Sequence, residues 1–284
     1  MRQITGDTIV TGIVGYPVRY SLSPLFQNYL FEKYNLNYVY LPFPVENPDL
    51  LETAIRGLIA SGVRGLNITI PYKERAMKIA DWSDQLSKFV KATNTIVAGE
   101  KGIKAYNTDG PGFWDAMEKR FEMEYGEIKL YILGSGGAAR GIIGEGVKRG
   151  IKKITIFARH EEKGKSIIND LHEWTTVESE VRIWDEIIRY SFPPFSVIVN
   201  TTPLGMKGET IPLGWNFEDK NSSIIADIVY KPVDTPLLIE AKKRGFRIFP
   251  GYLMLAGQGI LSFKLWTGIL PSFEETAEFI RSLL

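Results

Sequence analysis

The sequence contains no cysteine and only two histidines, His160 and His172, among its 284 residues. Without cysteine, the chain cannot form disulfides, thiolate metal sites or a thiol nucleophile. With so few histidines, we expect neither a histidine-based metal site nor a histidine relay. We therefore predict that the protein has no metal site.

The chain also lacks an excess of charge of one sign and any long apolar run. Its 34 Lys and Arg residues balance 33 Asp and Glu residues, so the net charge is +1 and gives no reason to expect a nucleic acid or an anionic membrane as partner. No uninterrupted apolar stretch reaches the roughly 20 residues that span a bilayer. The N-terminal MRQITGDTIV lacks the basic and then apolar pattern of a signal peptide. We expect a cytoplasmic protein, monomer or homodimer, whose partner is a small-molecule substrate.

A glycine-rich turn in mid-chain is the most informative feature that is present. An apolar, strand-like run over 129–134 leads into it, and a helix-like run follows from Arg140. The turn consists of Gly134, Ser135, Gly136, Gly137, Ala138 and Ala139. In the resulting G-x-G-x-x-A spacing, the first glycine makes a tight turn, the second lets the backbone approach a pyrophosphate, and the small third residue lets helix and strand pack closely. A helix N-terminus adds free N–H groups and a positive dipole end. The pattern predicts a dinucleotide-binding unit.

The end of the next predicted strand bears on which dinucleotide binds. An acidic residue there would bind the ribose 2′-hydroxyl of NAD, whereas a basic residue would accept the 2′-phosphate of NADP. The strand KKITIFAR ends in Arg159, followed by His160, and acidic residues come only afterwards. A guanidinium can hold a phosphate through two parallel hydrogen bonds. The sequence therefore favours NADP over NAD.

Strand and helix patterns alternate before the glycine-rich turn. Predicted strands cover 11–18, 38–45, 65–70, 95–98 and 103–106, and predicted helices cover 23–34, 48–60, 72–81 and 83–92. Pro24 would stand at the first helical position after a Ser cap, which is a favoured helix start. Alternation with short loops predicts a parallel α/β sheet.

A second α/β unit is predicted from residue 109 onward. A linking helix over 111–121 precedes strands at 129–133, 153–158, 196–200, 223–228 and 246–249, and helices over 252–266 and 272–284 close the chain. We predict an α/β protein of two domains. An N-terminal α/β substrate domain, 1–108 plus 251–284, is completed by the C-terminal helices, and a doubly wound Rossmann-type NADP domain, 109–250, is inserted into it.

Polar residues in the first part of the chain lie where structure alone would not require them. They are Ser21, Ser23, Asn67, Thr69, Lys73, Asn94 and Asp109. Each fits the C-terminal end of a strand or the loop after it, where open α/β sheets bind ligands. Each alone is also an ordinary cap or turn residue. Together they supply hydroxyl, amide, amine and carboxylate groups for a polyhydroxylated small molecule.

Lys73 and Asp109 are the pair that could transfer a proton. Hydride transfer at a carbinol carbon requires a group that gives or takes the hydroxyl proton, and a lysine can be tuned for this by burial and neighbours. A carboxylate beside it would hold it in place. The alternative interpretation is a surface salt bridge, which contributes little.

Eight sequence blocks follow one another along the chain: GYPVRYSLSPLFQN, NITIPYK, ATNTI, NTDGPG, GSGGAAR, NTTPLGM, DIVYKPVDTPLL and GYLMLAGQGILSF. In these blocks and in their order, nearly the whole chain resembles the shikimate dehydrogenase family. The family reduces 3-dehydroshikimate to shikimate with NADPH, a step of the chorismate route to aromatic amino acids. The resemblance implies a substrate domain made of both chain ends with a cofactor domain between them.

The resemblance also implies a role for each matched residue. Lys73 and Asp109 would be the catalytic pair. The implied substrate-binding residues are Ser21 and Ser23 for the carboxylate, Thr69, Asn94 and Gln258 for ring hydroxyls or the reacting oxygen, and Tyr230. The implied cofactor-binding residues are 134–139 for the pyrophosphate, Arg159 for the 2′-phosphate, Thr201 and Thr202 near the ribose, and Ile228 and Gly251 beside the nicotinamide. Tyr230 and Gln258 also have plain structural interpretations, as a core aromatic at a strand end and as an amide on an apolar helix.

The sequence departs from the family pattern at three places. Tyr20 and Gln27 stand where the family usually or often has His, and neither change removes a catalytic group. Ala158-Arg159-His160 stands where Asn-Arg-Thr is usual, which weakens the case for NADP. Two alternatives therefore stay open. One is an NAD-dependent quinate/shikimate dehydrogenase, and the other is a non-catalytic regulator that binds shikimate or NADP.

Overall fold

The computed structural model describes residues 4–100 and 102–284. The first three residues of MRQITGDTIV, over which no signal peptide is predicted, lie outside the described residues. Contacts divide the chain into two units, Met1–Thr108 with Gln258–Leu283, and Asp109–Gly257. The second division falls at 257/258, inside a helix, whereas the sequence placed it at 250/251. The domain assignment 1–108 plus 251–284 and 109–250 stays a prediction.

The first unit contains a six-stranded sheet with helices. Its elements are β1 (Ile9–Gly15), α1 (Ser23–Lys33), β2 (Tyr38–Pro44), α2 (Leu51–Ala60), β3 (Gly65–Ile68), α3 (Lys73–Ile79), β4 (Trp82–Ser83), α4 (Gln85–Val90), β5 (Thr95–Gly99) and β6 (Gly102–Tyr106). A short 3-10 turn, Pro48–Leu50, precedes α2. The strand order is β2-β1-β3-β5-β6-β4.

This sheet is mixed, so the prediction of a parallel sheet is wrong for β5. Strand β1 runs parallel to β2 and β3, but β5 runs antiparallel to both β3 and β6. Gly99 of β5 pairs with Gly102 of β6, and so short a connection cannot form a parallel crossover, which needs about a dozen residues. As a result, the start of β5 lies at the same sheet edge as the ends of β3 and β6.

The second unit is a doubly wound sheet with every strand of its main sheet parallel. Its elements are α5 (Asp109–Glu118), β7 (Lys129–Leu133), α6 (Gly137–Lys148), β8 (Lys153–Ala158), α7 (Glu161–Trp174), β9 (Glu178–Ile183), β10 (Ser191–Phe192), β11 (Ser196–Asn200), β12 (Asn216–Phe217), β13 (Ile224–Asp227), α8 (Pro236–Lys243) and β14 (Arg247–Phe249). The order is β14-β13-β11-β7-β8-β9, with β10 and β12 paired separately. Counted from β7, this is the 3-2-1-4-5-6 order of dinucleotide-binding folds, and the order reverses between β7 and β11.

Strand β9 and the start of α5 differ from the sequence-based expectation, and the two-residue strands β10 and β12 were not predicted either. Strand β9 was not predicted, because its sequence ESEVRI is half-charged and it lies at the sheet edge with few fully buried residues. Helix α5 begins at Asp109, not at Pro111. Its glycines allow close helix packing, since a methyl group added at Gly110 would come within 2.2 Å of the Gly141 carbonyl oxygen.

The last two helices are α9 (Gly251–Thr267) and α10 (Phe273–Ser282). The C-terminal part of α9 packs on the sheet of the first unit, where Trp266 Nε1 donates to the Ile96 carbonyl at 3.1 Å. Gly65 leaves room for this indole, because a methyl group there would lie 2.1 Å from Trp266 Nε1. Of the helices in the described ranges, none combines the length and apolar character needed to cross a bilayer.

Candidate active site

The glycine-rich turn connects β7 to α6 in the second unit, at the point where the strand order reverses. Gly134 has φ +112°, which disfavours any residue with a Cβ. A methyl group there would also come within 2.8 Å of Thr201 Oγ1 and 2.9 Å of Thr202 Cγ2. Gly134 is therefore required both by its own backbone and by the neighbouring β11 loop.

The backbone beyond Gly134 is accessible to a ligand. Methyl groups added at Gly136 or Gly137 would meet nothing within 4 Å. Gly136 is the N-cap of α6, with no side-chain cap hydrogen bond and no acidic residue in the first turn. Ala139 is fully buried and keeps the helix close to its surroundings. A pyrophosphate would thus meet N–H groups and a positive helix end with no competing carboxylate in that turn.

Thr201 and Thr202 lie directly after β11, beside this turn. Thr201 donates to the Leu133 carbonyl through both its N–H, at 2.9 Å, and its hydroxyl, at 2.8 Å. Thr202 donates through its hydroxyl to Asn200 Oδ1 at 2.7 Å. These bonds tie the ends of β7 and β11 together and fix the loop that the resemblance places near the ribose.

A buried carboxylate organises the neighbouring strand end. Asp227, fully buried at the end of β13, accepts hydrogen bonds from Asn200 Nδ2 at 2.9 Å, the Thr235 hydroxyl at 2.8 Å and the Val229 N–H at 3.0 Å. Burial raises its pKa to about 6 despite these donors. The Asn200–Asp227 bond joins β11 to β13.

Ile228 and Gly251 meet within the second unit. A methyl group at Gly251, the first residue of α9, would lie 2.5 Å from the carbonyl oxygens of both Ile228 and Val229. Only glycine permits this approach of α9 to the β13 loop. Tyr230 follows on that loop, half-buried, and burial raises the pKa of its hydroxyl.

Arg159 is exposed immediately after β8, with its guanidinium carbon 5.6 Å from the ring centroid of Trp184. The acidic residues that follow it are engaged by Lys165, whose Nζ lies 3.0 Å from Glu161 and 3.5 Å from Glu162. Together with the glycine cradle, this cation fits a dinucleotide that carries a 2′-phosphate.

In the first unit, Ser21 and Ser23 stand where the chain enters α1. The predicted Ser cap is wrong, because α1 begins at Ser23 and its N-cap is Leu22, without a side-chain cap bond. Instead, Ser21 Oγ accepts the Ser23 N–H at 3.2 Å. Local bonding of this kind competes with a regular cap, as short hydroxyl side chains often do.

Thr69, Lys73 and Asn94 meet at one edge of the first sheet. Thr69 follows β3, and its N–H donates to the Val14 carbonyl at the end of β1 at 2.9 Å. Lys73 begins α3, and its carbonyl accepts the Thr93 N–H at 3.0 Å. Asn94 precedes β5 and does not follow a strand as expected, but the antiparallel direction of β5 still places it at this edge.

The orientation of the Asn94 amide is set by its neighbours. Its Oδ1 accepts the Thr108 N–H at 2.7 Å, and its Nδ2 donates to Thr108 Oγ1 at 2.8 Å and to Gln258 Oε1 at 3.5 Å. Since an amide oxygen and nitrogen cannot exchange these roles, the bonding defines which atom faces which way. Asn94 and Gln258 are thus brought together although 164 positions separate them.

A buried polar network lies beneath this edge. At its centre, Asn67 Oδ1 accepts the Tyr40 hydroxyl at 2.8 Å, and Asn67 Nδ2 lies 3.0 Å from Ser262 Oγ and 3.2 Å from Thr95 Oγ1. Burial raises the pKa of Tyr40 well above its usual range, with Ser23 opposing that shift through a hydrogen bond. The hydroxyls of Thr95 and Ser262 are 2.8 Å apart. Each residue of this network, Tyr40, Asn67, Thr95, Thr108 and Ser262, is buried.

Sequence reasoning missed most of that network. It singled out Asn67 but not Tyr40, Thr95 or Ser262. Ser262 carried a signal, since it is a hydroxyl residue within the otherwise apolar GILSF of α9. Asn200, Asp227 and Thr235 were likewise quoted only as parts of longer motifs.

Lys73 and Asp109 belong to different units. Lys73 is half-buried at the start of α3, and Asp109 is buried at the start of α5, directly after Thr108. Their joint role stays a prediction. Among the residues that the structure describes, no group of three or more His, Asp or Glu side chains is arranged to hold a metal ion.

Comparison with known families matches both ends of the chain. A family model described as the shikimate dehydrogenase substrate binding domain matches residues 13–96. A second, described as the shikimate 5′-dehydrogenase C-terminal domain, matches residues 251–278.

Curated relatives match over almost the full length. A shikimate dehydrogenase (NADP(+)) from Leptospira interrogans is 37% identical, covering 97% of this chain and 95% of the relative. One from Carboxydothermus hydrogenoformans is also 37% identical, covering 95% of each chain.

Solved structures agree with this match. Shikimate dehydrogenase from Aquifex aeolicus superposes with a TM-score of 0.84 at 34% identity, covering 98% of this chain and 99% of that one. The Thermus thermophilus enzyme, in complex with NADP(H) and shikimate, gives 0.82 at 27% identity, covering 97% and 100%. A 5-ketofructose reductase from Gluconobacter gives 0.91 over 99% and 100%, but at 24% identity it shares the fold alone.

Proposed function

Since this chain belongs to the shikimate dehydrogenase family, we propose that it catalyses the NADP-dependent, reversible reduction of 3-dehydroshikimate to shikimate. The observation that carries the proposal is the polar edge of the first unit, where Asn94 and Gln258 are joined and Lys73 begins a neighbouring helix. Such an edge offers neutral hydrogen-bonding groups and one cation, which suits a hydroxylated acid.

Two groups of residues in the first unit are assigned to the substrate, one to its carboxylate and one to its ring. The carboxylate binds Ser21 and Ser23 at the N-terminus of α1, whose first turn has no acidic residue and whose dipole favours an anion. Thr69, Asn94 and Gln258 bind ring hydroxyls or the reacting oxygen, and Tyr230 contacts the substrate from the β13 loop. The oriented amide of Asn94 discriminates between donors and acceptors on the ring.

Lys73 and Asp109 handle the proton. During reduction, the Lys73 ammonium donates a proton to the oxygen that develops negative charge, and in the reverse direction the neutral amine accepts it. Asp109 orients Lys73 and accepts a hydrogen bond from the substrate. NADPH, when bound, supplies the hydride.

The cofactor residues lie in the second unit. Backbone groups of 134–139 hold the pyrophosphate and Arg159 binds the 2′-phosphate. Thr201 and Thr202 approach the ribose, and Ile228 and Gly251 flank the nicotinamide. We assign the substrate domain to 1–108 plus 251–284 and the NADP domain to 109–250.

We also propose a cytoplasmic enzyme that is a monomer or homodimer. The shikimate route is part of central metabolism, and its substrate is a small polar acid. Light scattering coupled to gel filtration of the purified chain would give the mass, for which 32.1 kDa is the monomer value. A mass above twice that value would contradict the proposed state.

The activity is tested by initial rates of shikimate oxidation, followed at the absorbance of the reduced nicotinamide, with NADP and NAD in parallel and quinate as a second substrate. We expect strong turnover of shikimate with NADP. Equal use of NAD, or good use of quinate, would transfer the assignment to an NAD-dependent quinate/shikimate dehydrogenase. No turnover with any pair would favour a non-catalytic binding protein.

A further inference from the structure

We propose that Trp184 is a specificity-determining residue that orients Arg159 toward the 2′-phosphate of the cofactor. This inference rests on the proposed NADP dependence. It concerns a residue outside the glycine turn and outside the strand end where 2′-phosphate contacts are expected.

Backbone register places the two residues side by side. Strands β8 and β9 are parallel, and their last pair is Ala158 with Ile183. Arg159 and Trp184 are the next residue of each strand, so they leave the same edge of the sheet together. Their side chains meet there, with the guanidinium carbon 5.6 Å from the ring centroid. This distance is within the range of a cation–π contact.

Trp184 and Arg159 differ in how far packing restricts their side chains. Trp184 is only 8% exposed and belongs to an apolar core cluster of the second unit, with Phe157 and Ile187. Arg159 is exposed. A long side chain on the surface loses rotamer entropy when it binds a ligand, and a fixed ring beneath it reduces that loss. A guanidinium that stacks on an aromatic ring keeps its N–H edge available for phosphate oxygens.

The immediate neighbours of Arg159 make such support useful. Ala158 is a buried alanine with no side-chain donor, and His160 is an exposed N-cap of α7 without a side-chain cap bond. Glu186, two positions after Trp184, is held by Arg182 at 2.9 Å, just as Lys165 holds Glu161. Glu161 and Glu186 therefore have cationic partners of their own.

Binding of cofactor fragments to the free enzyme separates this role from catalysis. The probes are 2′,5′-ADP, which carries the 2′-phosphate, and 5′-AMP, which does not, both titrated by calorimetry. Trp184→Leu removes the cation–π contact, which at an exposed site contributes little. We expect it to weaken the affinity for 2′,5′-ADP by roughly three- to fivefold and to leave the affinity for 5′-AMP unchanged. Trp184→Phe keeps an aromatic face and should retain most of the affinity.

Trp215→Leu is the matched control. Trp215 is a partly buried tryptophan of the same unit, and the guanidinium carbon of Arg244 lies 5.0 Å from its ring centroid. Its replacement by Leu should leave the affinities for both probes unchanged. Unchanged 2′,5′-ADP affinity in Trp184→Leu, or an equal loss for both probes, would overturn the inference. If Trp184→Leu does not fold, Trp184→Met is titrated in its place, because it also removes the aromatic face: a selective loss of 2′,5′-ADP affinity supports the inference, and wild-type affinity for both probes overturns it. Absence of shikimate turnover in the wild type would instead count against the proposed function, because the fragment titrations need no substrate.

Discussion

The two units position their predicted ligand-binding residues by different physical means. In the first unit, a network of buried polar side chains lies beneath the predicted substrate residues. Asn67 by itself makes hydrogen bonds to Tyr40, Ser262 and Thr95. In the second unit, the predicted cofactor residues depend mainly on backbone clearance, at Gly134 and Gly251.

The difference matches what each ligand offers. A pyrophosphate is large and doubly charged, so exposed N–H groups at a helix end suffice to hold it. A ring with several hydroxyls must be distinguished from its isomers, and this requires donors and acceptors in fixed directions. We therefore expect substitutions of buried polar residues to lower the stability of the first unit. In the second unit, we expect added side-chain volume to weaken cofactor binding.

The largest effect expected is on catalysis in the first unit. Lys73→Ala should lower kcat by roughly 10²- to 10⁴-fold, because it removes the proposed acid/base while leaving the buried network intact. Steady-state rates with shikimate and NADP measure this, and Lys78→Ala, an exposed lysine in the last turn of the same helix, is the control. Unchanged turnover would refute the mechanism. Retained shikimate binding with lost turnover would refute a non-catalytic regulator.

Breaking the buried network should cost stability. Asn67→Leu should lower the free energy of unfolding by about 3 kcal/mol, because several buried partners lose a hydrogen bond at once. Tyr40→Phe leaves the Asn67 bonds to Ser262 and Thr95 in place, so it should cost less, about 1 kcal/mol. Urea denaturation measures both. If the two variants were equally stable, Asn67 would not be the centre of the network.

Asp227 tests whether the second unit also depends on a buried polar group. Its pKa rises from 3.8 to about 6 on folding. Between about pH 4 and 6 the folded protein binds a proton that the unfolded chain has released, so the unfolding free energy falls as pH rises through this window and levels off above it. In Asp227→Asn this decline should shrink by about 2–3 kcal/mol.

Unfolding curves collected from pH 4 to pH 7 would show this change. Asp219→Asn provides a control of opposite sign, because a hydrogen bond from Ser222 lowers the pKa of half-buried Asp219. Its contribution to stability is lost as pH falls. Parallel pH profiles for wild type and Asp227→Asn would contradict the assignment.

Crowding the glycine turn should change stability less than Asn67→Leu does. Gly134→Ala should cost about 1–2 kcal/mol through its positive φ, and should also weaken NADP binding by displacing Thr201 and Thr202. Gly208→Ala has a comparable φ of +85° but no atom within 4 Å, so it should share the strain and keep the affinity. Calorimetric titration of both variants compares the two. Equal NADP affinities would show that backbone clearance at Gly134 is unimportant.

Much of the second unit could be predicted because its signals are local. The order of strand, glycine turn and helix around Gly134 occupies a dozen consecutive residues, and each glycine acts through its own backbone. The α/β alternation follows from apolar runs of the right length. Strand β9 was not predicted, because an edge strand needs no continuous apolar pattern.

Local sequence could not supply the pairing partners in the first unit. Nothing within ATNTI says that β5 runs antiparallel to β3, and the expected position of Asn94 at a strand end was wrong for this reason. Ser262 contacts Asn67 across 195 positions of the chain, so no window of sequence contains both.

The sequence by itself determined the two α/β patterns, the dinucleotide turn, the basic residue at Arg159 and the set of polar residues that resembles the shikimate dehydrogenases. These depend on residue type and short spacing, which a linear chain carries. Tertiary structure alone decided the mixed sheet, the direction of the Asn94 amide, the clearance at Gly134 and Gly251, and the contact of Arg159 with Trp184. Each of these arises only when distant segments pack, because hydrogen-bond direction and steric room are properties of neighbours in space.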